Sequence, residues 1–255
     1  MTLIVRPGFN GMTDADAIAY VNAVEAADGQ LLEFAVGKAI NDFVVGCKLD
    51  GIWSAIKASC ILAGARTLAG ALVPLAGPAP TNNNFVSGDY NRKTGLVGDG
   101  STKYLNTNYA ASSNTNYLQN THVSVHRVTT GASGSLLGVG GPSNALLIFW
   151  NGSWLMRSLA GGGGVGGGDV VNLLGTSRAS SSSYTYRFGG SSGTVATTST
   201  ANTENVFVFA RNETVTTSQF SSSRIDFYSI GEALDLALLD TRVTTLITAF
   251  GAAIP

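Results

Sequence analysis

From residue 85 onward the chain repeats one pattern: short apolar runs separated by clusters of Gly, Ser, Asn and Thr. Runs of this length bounded by turn-forming residues read as strands. No helical crossover separates them, so the sheet pairing they predict is antiparallel. Candidate strands lie at 118–128, 135–139, 145–150, 153–159, 170–177, 183–188, 206–210 and 224–230. Asn151-Gly152 sits between apolar runs and is the strongest short hairpin signal in the chain. The 32 glycines of the sequence suit a fold of many tight turns. The fold class expected is mainly β: an antiparallel jelly roll or β-sandwich.

Residues 13–77 follow a different period. Thr13 or Asp14 can cap a helix carrying Ile18, Val21 and Val24, and Asp28-Gly29 ends it. Leu32, Val36, Ala39, Ile40 and Phe43 form one stripe of a second helix over 30–47. Asp50 can cap a third, with Ile52, Ile56 and Cys60 on one side. Helices this short must pack on each other, on the sandwich or on a partner chain. The segment 64–80 reads as a packed connector ending in prolines, and a last helix over 234–250 closes the chain. The expected division is therefore 1–80, a helical attachment or oligomerisation region with linker, and 81–255, the jelly roll.

Composition removes several classes. Only 12% of residues are charged and the formal net charge is −1, which leaves no basic field for nucleic acid. The opening twenty residues lack a secretory signal pattern, and no uninterrupted apolar run reaches membrane-spanning length, so a soluble protein made in the cytoplasm, with no membrane insertion, is expected. Cys47 and Cys60 have no partner at zinc-ligand spacing and read as buried thiols.

The order of elements after residue 95 resembles the laminin-G-like, or concanavalin-A-like, jelly-roll modules of phage structural proteins. GLVGDGSTKYLNTN is followed by HVSVHRV, by LLIFWNGSWLMRS, by LLGTSRASSSSYTYRFGG and by a closing strand and helix that run through Ser229-Ile230-Gly231. INDFVVGCKLDGIW and GALVPLAGPAPTNNNFVSGDYNRKTG are similar to leaders that precede this module in tail and appendage proteins. The resemblance implies a bacteriophage virion structural protein, as capsid decoration or tail and fibre appendage. Its partners would be other virion proteins, a homo-oligomer, a trimer by preference, and host surface polysaccharide. The alternatives are a stand-alone carbohydrate-binding module and a polysaccharide depolymerase.

No residue set argues for catalysis or a cofactor. Gly189-Gly190-Ser191-Ser192-Gly193 matches the hydrolase G-x-S-x-G pattern but lies between β-like runs, where a hairpin loop is expected rather than a strand-to-helix turn. His122 and His126 share a strand face and read as an exposed or interfacial pair, about 13 Å apart. The sandwich carboxylates, among them Asp89, Asp99, Asp169, Glu204, Glu213, Asp226 and Glu232, lack the clustered alternation of sandwich glycosidases that resemble this architecture. The glycine run 161–168 reads as a loop weakly tied to the core, not a phosphate cradle. For sugar stacking, the candidates are Trp154, Tyr184 and Tyr186; Trp150 is read as core, and Trp154 stands evenly between core and surface. Asp99 and Asp169 are weak calcium candidates by analogy with laminin-G-like modules, well short of the oxygens Ca²⁺ takes.

Overall fold

Two helices open the described chain, which comprises residues 11–162, 164–214 and 216–255 of the computed structural model. In α1 (Ala15–Asp28) the Asp14 carboxylate accepts hydrogen bonds from the N–H groups of Asp16 and Ala17, and Gly29 ends the helix at a φ of 67°. A loop leads to α2 (Phe34–Leu49), and Gly51, at a φ of 71°, turns the chain out of it. The third helix expected from Asp50 is replaced by a single 3₁₀ turn, Trp53–Ala55, and the strand β1 (Ile56–Ile61). Ile56 and Cys60 are four apart, a spacing that suits a helix face; pairing of β1 with a strand near the C-terminus decides the outcome.

After the short α3 (Leu68–Ala71) the chain is β almost to its end. In order come β2 (Thr81–Asn83), β3 (Tyr90–Asn91), β4 (Gly95–Val97), β5 (Tyr104–Ala110), β6 (Thr121–Arg127), β7 (Gly134–Val139), β8 (Ala145–Trp150) and β9 (Trp154–Ala160). They continue with β10 (Asn172–Ser180), β11 (Ser183–Phe188), β12 (Ser191–Ala196), β13 (Asn205–Val208), β14 (Arg211–Asn212), β15 (Thr217–Ser218) and β16 (Arg224–Gly231). The helix α4 (Leu236–Ala253), capped by the Asp235 carboxylate, completes the fold.

The strands form a sandwich of two sheets. The back sheet runs β12-β11-β10-β6-β16-β4-β3, with β1 also on β16; the front sheet runs β15-β14-β7-β13-β5-β2, with β8 on β7 and β9 on β8. Apart from a short parallel pairing of β14 with β7, the ladders are antiparallel. Asn151 to Ser153 connect β8 to β9 as the Asn-Gly signal indicates, with Trp150 opposite Trp154. Val123, Val125, Leu174, Ile225, Leu136, Ile148 and Val208 fill the space between the sheets.

The outer face of the back sheet is buried too. Leu173 and Phe227, which flank His126 in register, join one apolar cluster with Val21, Val36, Phe43, Val243, Leu246 and Phe250 of the helices. Phe43 of α2 meets Phe227 edge-on, with ring centroids 5.8 Å apart. Arg187 of β11 pairs with Asp240 of α4 at 2.8 Å, and Arg242 of α4 grips Asp50 with bonds of 2.7 and 2.8 Å. The helical stripes thus pack within the chain, and β1 from the N-terminal part sits in the back sheet. Helices from both sides of the division expected at residue 80 share their core with the strands they cover. By length and composition α4 is apolar enough to cross a bilayer, but Leu239, Val243, Leu246 and Phe250 on it are buried in the helix core.

Candidate functional site

The aromatic residues singled out in the sequence do not form a platform. Trp154 is fully buried: its ring lies 5.0 Å from that of Trp150 and 5.8 Å from that of Phe188, with the Arg127 guanidinium 5.4 Å away. Its indole Nε1 donates to the Gly168 carbonyl at 3.0 Å. Tyr184 is buried as well and its hydroxyl donates to the Met156 carbonyl at 2.7 Å. Both rings point between the sheets, so neither has a face for a sugar. Tyr186 is half-buried and lies over Gly193, where a Cβ would stand 2.3 Å from the phenol oxygen. Trp150, read as core, packs half-buried against the inter-sheet core beside Trp154. The glycine-rich segment is better anchored than its composition suggests. Val165 is buried and its N–H donates to the Trp154 carbonyl at 3.0 Å, which lays the loop across the indole.

The two weak calcium candidates are committed elsewhere. Asp99 accepts from the N–H groups of Ser101, Thr102 and Lys103 and from the Thr102 hydroxyl. Burial pushes its pKa up, but these hydrogen bonds outweigh it and hold the carboxyl well below the usual range. Asp169 pairs with Arg127 and accepts from the Gly131 N–H. Burial raises its pKa and the guanidinium and N–H contacts more than reverse that. No group of three or more His, Cys, Asp or Glu able to hold a metal occurs among the described residues.

The histidines require a correction: they share a face, but that face lies under the helices. His122 is fully buried. Burial pushes its pKa down to about 4, so the ring is neutral at pH 7. Nδ1 then donates to the Glu232 carbonyl at 2.5 Å and Nε2 accepts from the Ser229 hydroxyl at 2.8 Å. This serine–histidine pair has the order of a nucleophile and its base, but Ser229 is also fully buried and no substrate can reach it. His126 is bonded through Nδ1 to Asp226 at 2.7 Å, and burial raises the Asp226 pKa. The G-x-S-x-G stretch is a hairpin. Gly189 and Gly190 take φ values of 54° and 78° in a two-residue turn from β11 to β12, and no helix follows Ser191.

No helix packs on the outer face of the front sheet among the described residues; Leu147, Gly138 and Phe207 at its centre are buried, and the face opens towards β5 and β2, where Asn106 is half-buried and Thr81 exposed. Register places Arg157, Leu147, Gly138, Phe207, Asn106 and Thr81 in one row across it, from β9 to β2. Beside this row Tyr104 stacks on Phe207 with centroids 4.7 Å apart, and Phe220 meets Tyr104 at 6.1 Å. Tyr104 and Phe220 are half-buried over a buried Phe207, and Asn83, directly opposite Tyr104, is also partly open. Asn106 uses its Oδ1 to accept from the Asn108 N–H at 2.9 Å. Arg211 folds over Gly138, its Nε donating to the Gly140 carbonyl at 2.7 Å. The result is a tilted aromatic shelf with amide donors and acceptors at its edge. Sequence reasoning missed Tyr104 and Phe220 because both sit in polar stretches; the alternation of Leu105 and Thr107 inward with Tyr104 and Asn106 outward was the available signal. A separate groove of about 510 Å³ lies between α1 and β1, where Trp53 donates to Asp16 at 3.0 Å.

No family model matches the chain, and no curated protein matches it in sequence. Several solved structures are similar in strand arrangement. A mutant of the NanB sialidase from Streptococcus pneumoniae aligns at a TM-score of 0.42 and 16% identity, over 58% of this chain and 27% of that one. The Ruminococcus gnavus IT-sialidase CBM40 bound to α2,6 sialyllactose aligns at 0.34 and 18%, over 52% and 83%. A Trypanosoma rangeli sialidase mutant displaying trans-sialidase activity aligns at 0.43 and 11%, over 82% and 39%. The chain thus spans about a quarter of the length of the NanB protein it matches.

Proposed function

We propose that this chain is a non-catalytic, glycan-binding β-sandwich whose ligand lies on the outer face of the front sheet. The observation that carries the reading is the pair of half-buried rings Tyr104 and Phe220, resting on the buried Phe207 at the open end of the front sheet, with Asn83 and Asn106 beside them. A sugar ring offers C–H groups to an aromatic face and hydroxyls to amides, and this arrangement supplies both. Four aspartates of the sandwich are unsuited to general-acid work. Asp89, Asp99 and Asp169 are held below the usual range, the wrong direction for a general acid, and Asp226, pushed upward, is sealed under the helices.

The setting we propose is the surface of a bacteriophage particle, with other virion proteins as partners, and it rests on the sequence resemblance of the C-terminal part to phage jelly-roll modules. The test is a microarray of bacterial surface polysaccharides probed with the full chain and with Tyr104→Ala. The expected result is retention on at least one polysaccharide, weakened about tenfold by the substitution, with no release of reducing ends. Binding that Tyr104→Ala leaves unchanged removes the shelf from the account, and liberated reducing ends overturn the non-catalytic reading.

A further inference from the structure

The sandwich has several strand edges, and all but one are blunted. β2, β3 and β15 span three residues or fewer. The outer side of β1 is covered by the bridge between Ser59 and Ala76. The free side of β9 is covered along its length. The carbonyl of Trp154 accepts from the Val165 N–H, that of Met156 from the Tyr184 hydroxyl, that of Ser158 from Arg178 Nε and that of Leu159 from the Thr200 N–H. Exposed edges are templates for strand addition, and proteins commonly shorten, charge, bend or cover them.

β12 receives none of these treatments. It is a six-residue strand at the end of the back sheet, Ser-Ser-Gly-Thr-Val-Ala, with no charge and no proline. Its register with β11 is unbroken from Phe188–Ser191 to Ser183–Ala196, so no bulge twists it away. The two-residue turn makes Phe188 and Ser191 a hydrogen-bonded pair, and alternation then points the N–H and C=O groups of Ser192, Thr194 and Ala196 outward. No side chain or neighbouring segment among the described residues bonds to those groups. Ser192, Thr194 and Ala196 are all exposed.

We infer that the β12 edge pairs antiparallel with the β12 edge of a second copy of this chain, and so forms a two-fold dimer with a continuous back sheet. A two-fold axis at Thr194 sets it opposite the second copy's Thr194, and sets Ser192 opposite the second copy's Ala196. Every outward N–H and C=O of the strand then finds a partner in both copies at once, as an isologous contact requires. The occupant is a second copy because the strand is its own complement. Its small side chains allow close approach, no like charges meet across the axis, and the nearest guanidinium, Arg187, is already paired with Asp240. A contact of one six-residue strand is small, which places the dimer in the weak, concentration-dependent class. This inference is independent of the glycan reading, since β12 belongs to the other sheet.

Sedimentation equilibrium of the full chain up to roughly 200 μM tests it, beside Thr194→Pro and Thr194→Lys. Proline at 194 removes an outward N–H and takes nothing from the β11 ladder, whereas lysine sets two charges against each other across the axis. The expected result is a monomer–dimer equilibrium weakened at least about tenfold by each folded variant. If proline unfolds the hairpin, lysine carries the test alone. A monomer throughout, a trimer, or a dimer that Thr194→Lys leaves intact overturns the inference.

Discussion

Replacing Phe43 by alanine strikes the contact that joins the N-terminal helices to the sandwich. The side chain is 3% exposed and its ring meets Phe227 of β16 edge-on. Truncating a buried phenylalanine costs about 3–5 kcal/mol, with lost ring-on-ring contact as part of that figure. For a domain with a total stability of about 5–15 kcal/mol this is a large share. With a urea slope of about 2.5 kcal/mol per molar, the unfolding midpoint should fall by about 1–2 M. The assay is urea unfolding followed by far-UV circular dichroism, which sees the helices, and by tryptophan fluorescence. Trp150 and Trp154 report from the sandwich and Trp53 from the base of the helices. One shared transition, displaced as a whole, is the expected outcome, because helices and back sheet bury their apolar faces in a common cluster. A sandwich transition left at its original midpoint while the helical signal melts early would show two independent units and refute the reasoning.

Acid should loosen the same interface. The His122 pKa falls from an ordinary 6.5 to about 4 on burial, so its contribution to stability is complete above pH 6.5 and is lost as pH falls towards 4. The full effect is roughly 3 kcal/mol, of which about 2 falls between pH 7 and pH 5, and replacing His122 by Gln should flatten the drop in urea midpoint over that range; an unchanged drop would mean another group is responsible. Asp226 acts in the opposite sense, since its raised pKa favours the folded state at low pH. Trp154→Phe should cost about 1–2 kcal/mol through the lost Nε1 bond to Gly168 and the smaller ring, and should speed amide exchange at Val165; exchange that stays unchanged would show that the loop does not depend on the indole.

The sandwich was legible because its strands are bounded by turn residues, and the expected 145–150 and 183–188 coincide with β8 and β11. What escaped were strands without an apolar signature. β12 is Ser-Ser-Gly-Thr-Val-Ala, and β5 carries asparagines on its open face. β1 escaped for a different reason, since its partner β16 lies at the other end of the chain and local spacing favoured a helix. The histidines were misplaced because alternation reveals which side chains share a face, not whether helices will cover that face. Trp154 and Tyr184 were read from their ring chemistry, while strand alternation and register, which turn them towards the other sheet, decide their burial. The shelf at Tyr104 assembles from β5, β13 and the segment before β16, so no single stretch of sequence displays it.

The claim that the front sheet carries the ligand is met most directly by hydrogen–deuterium exchange with and without the polysaccharide that binds best on the array. The account expects protection at residues 104–106, 205–208 and 217–220, with β10 and β11 unchanged. Protection confined to the back sheet or to the groove beside Trp53, with the front sheet unaffected, would contradict it.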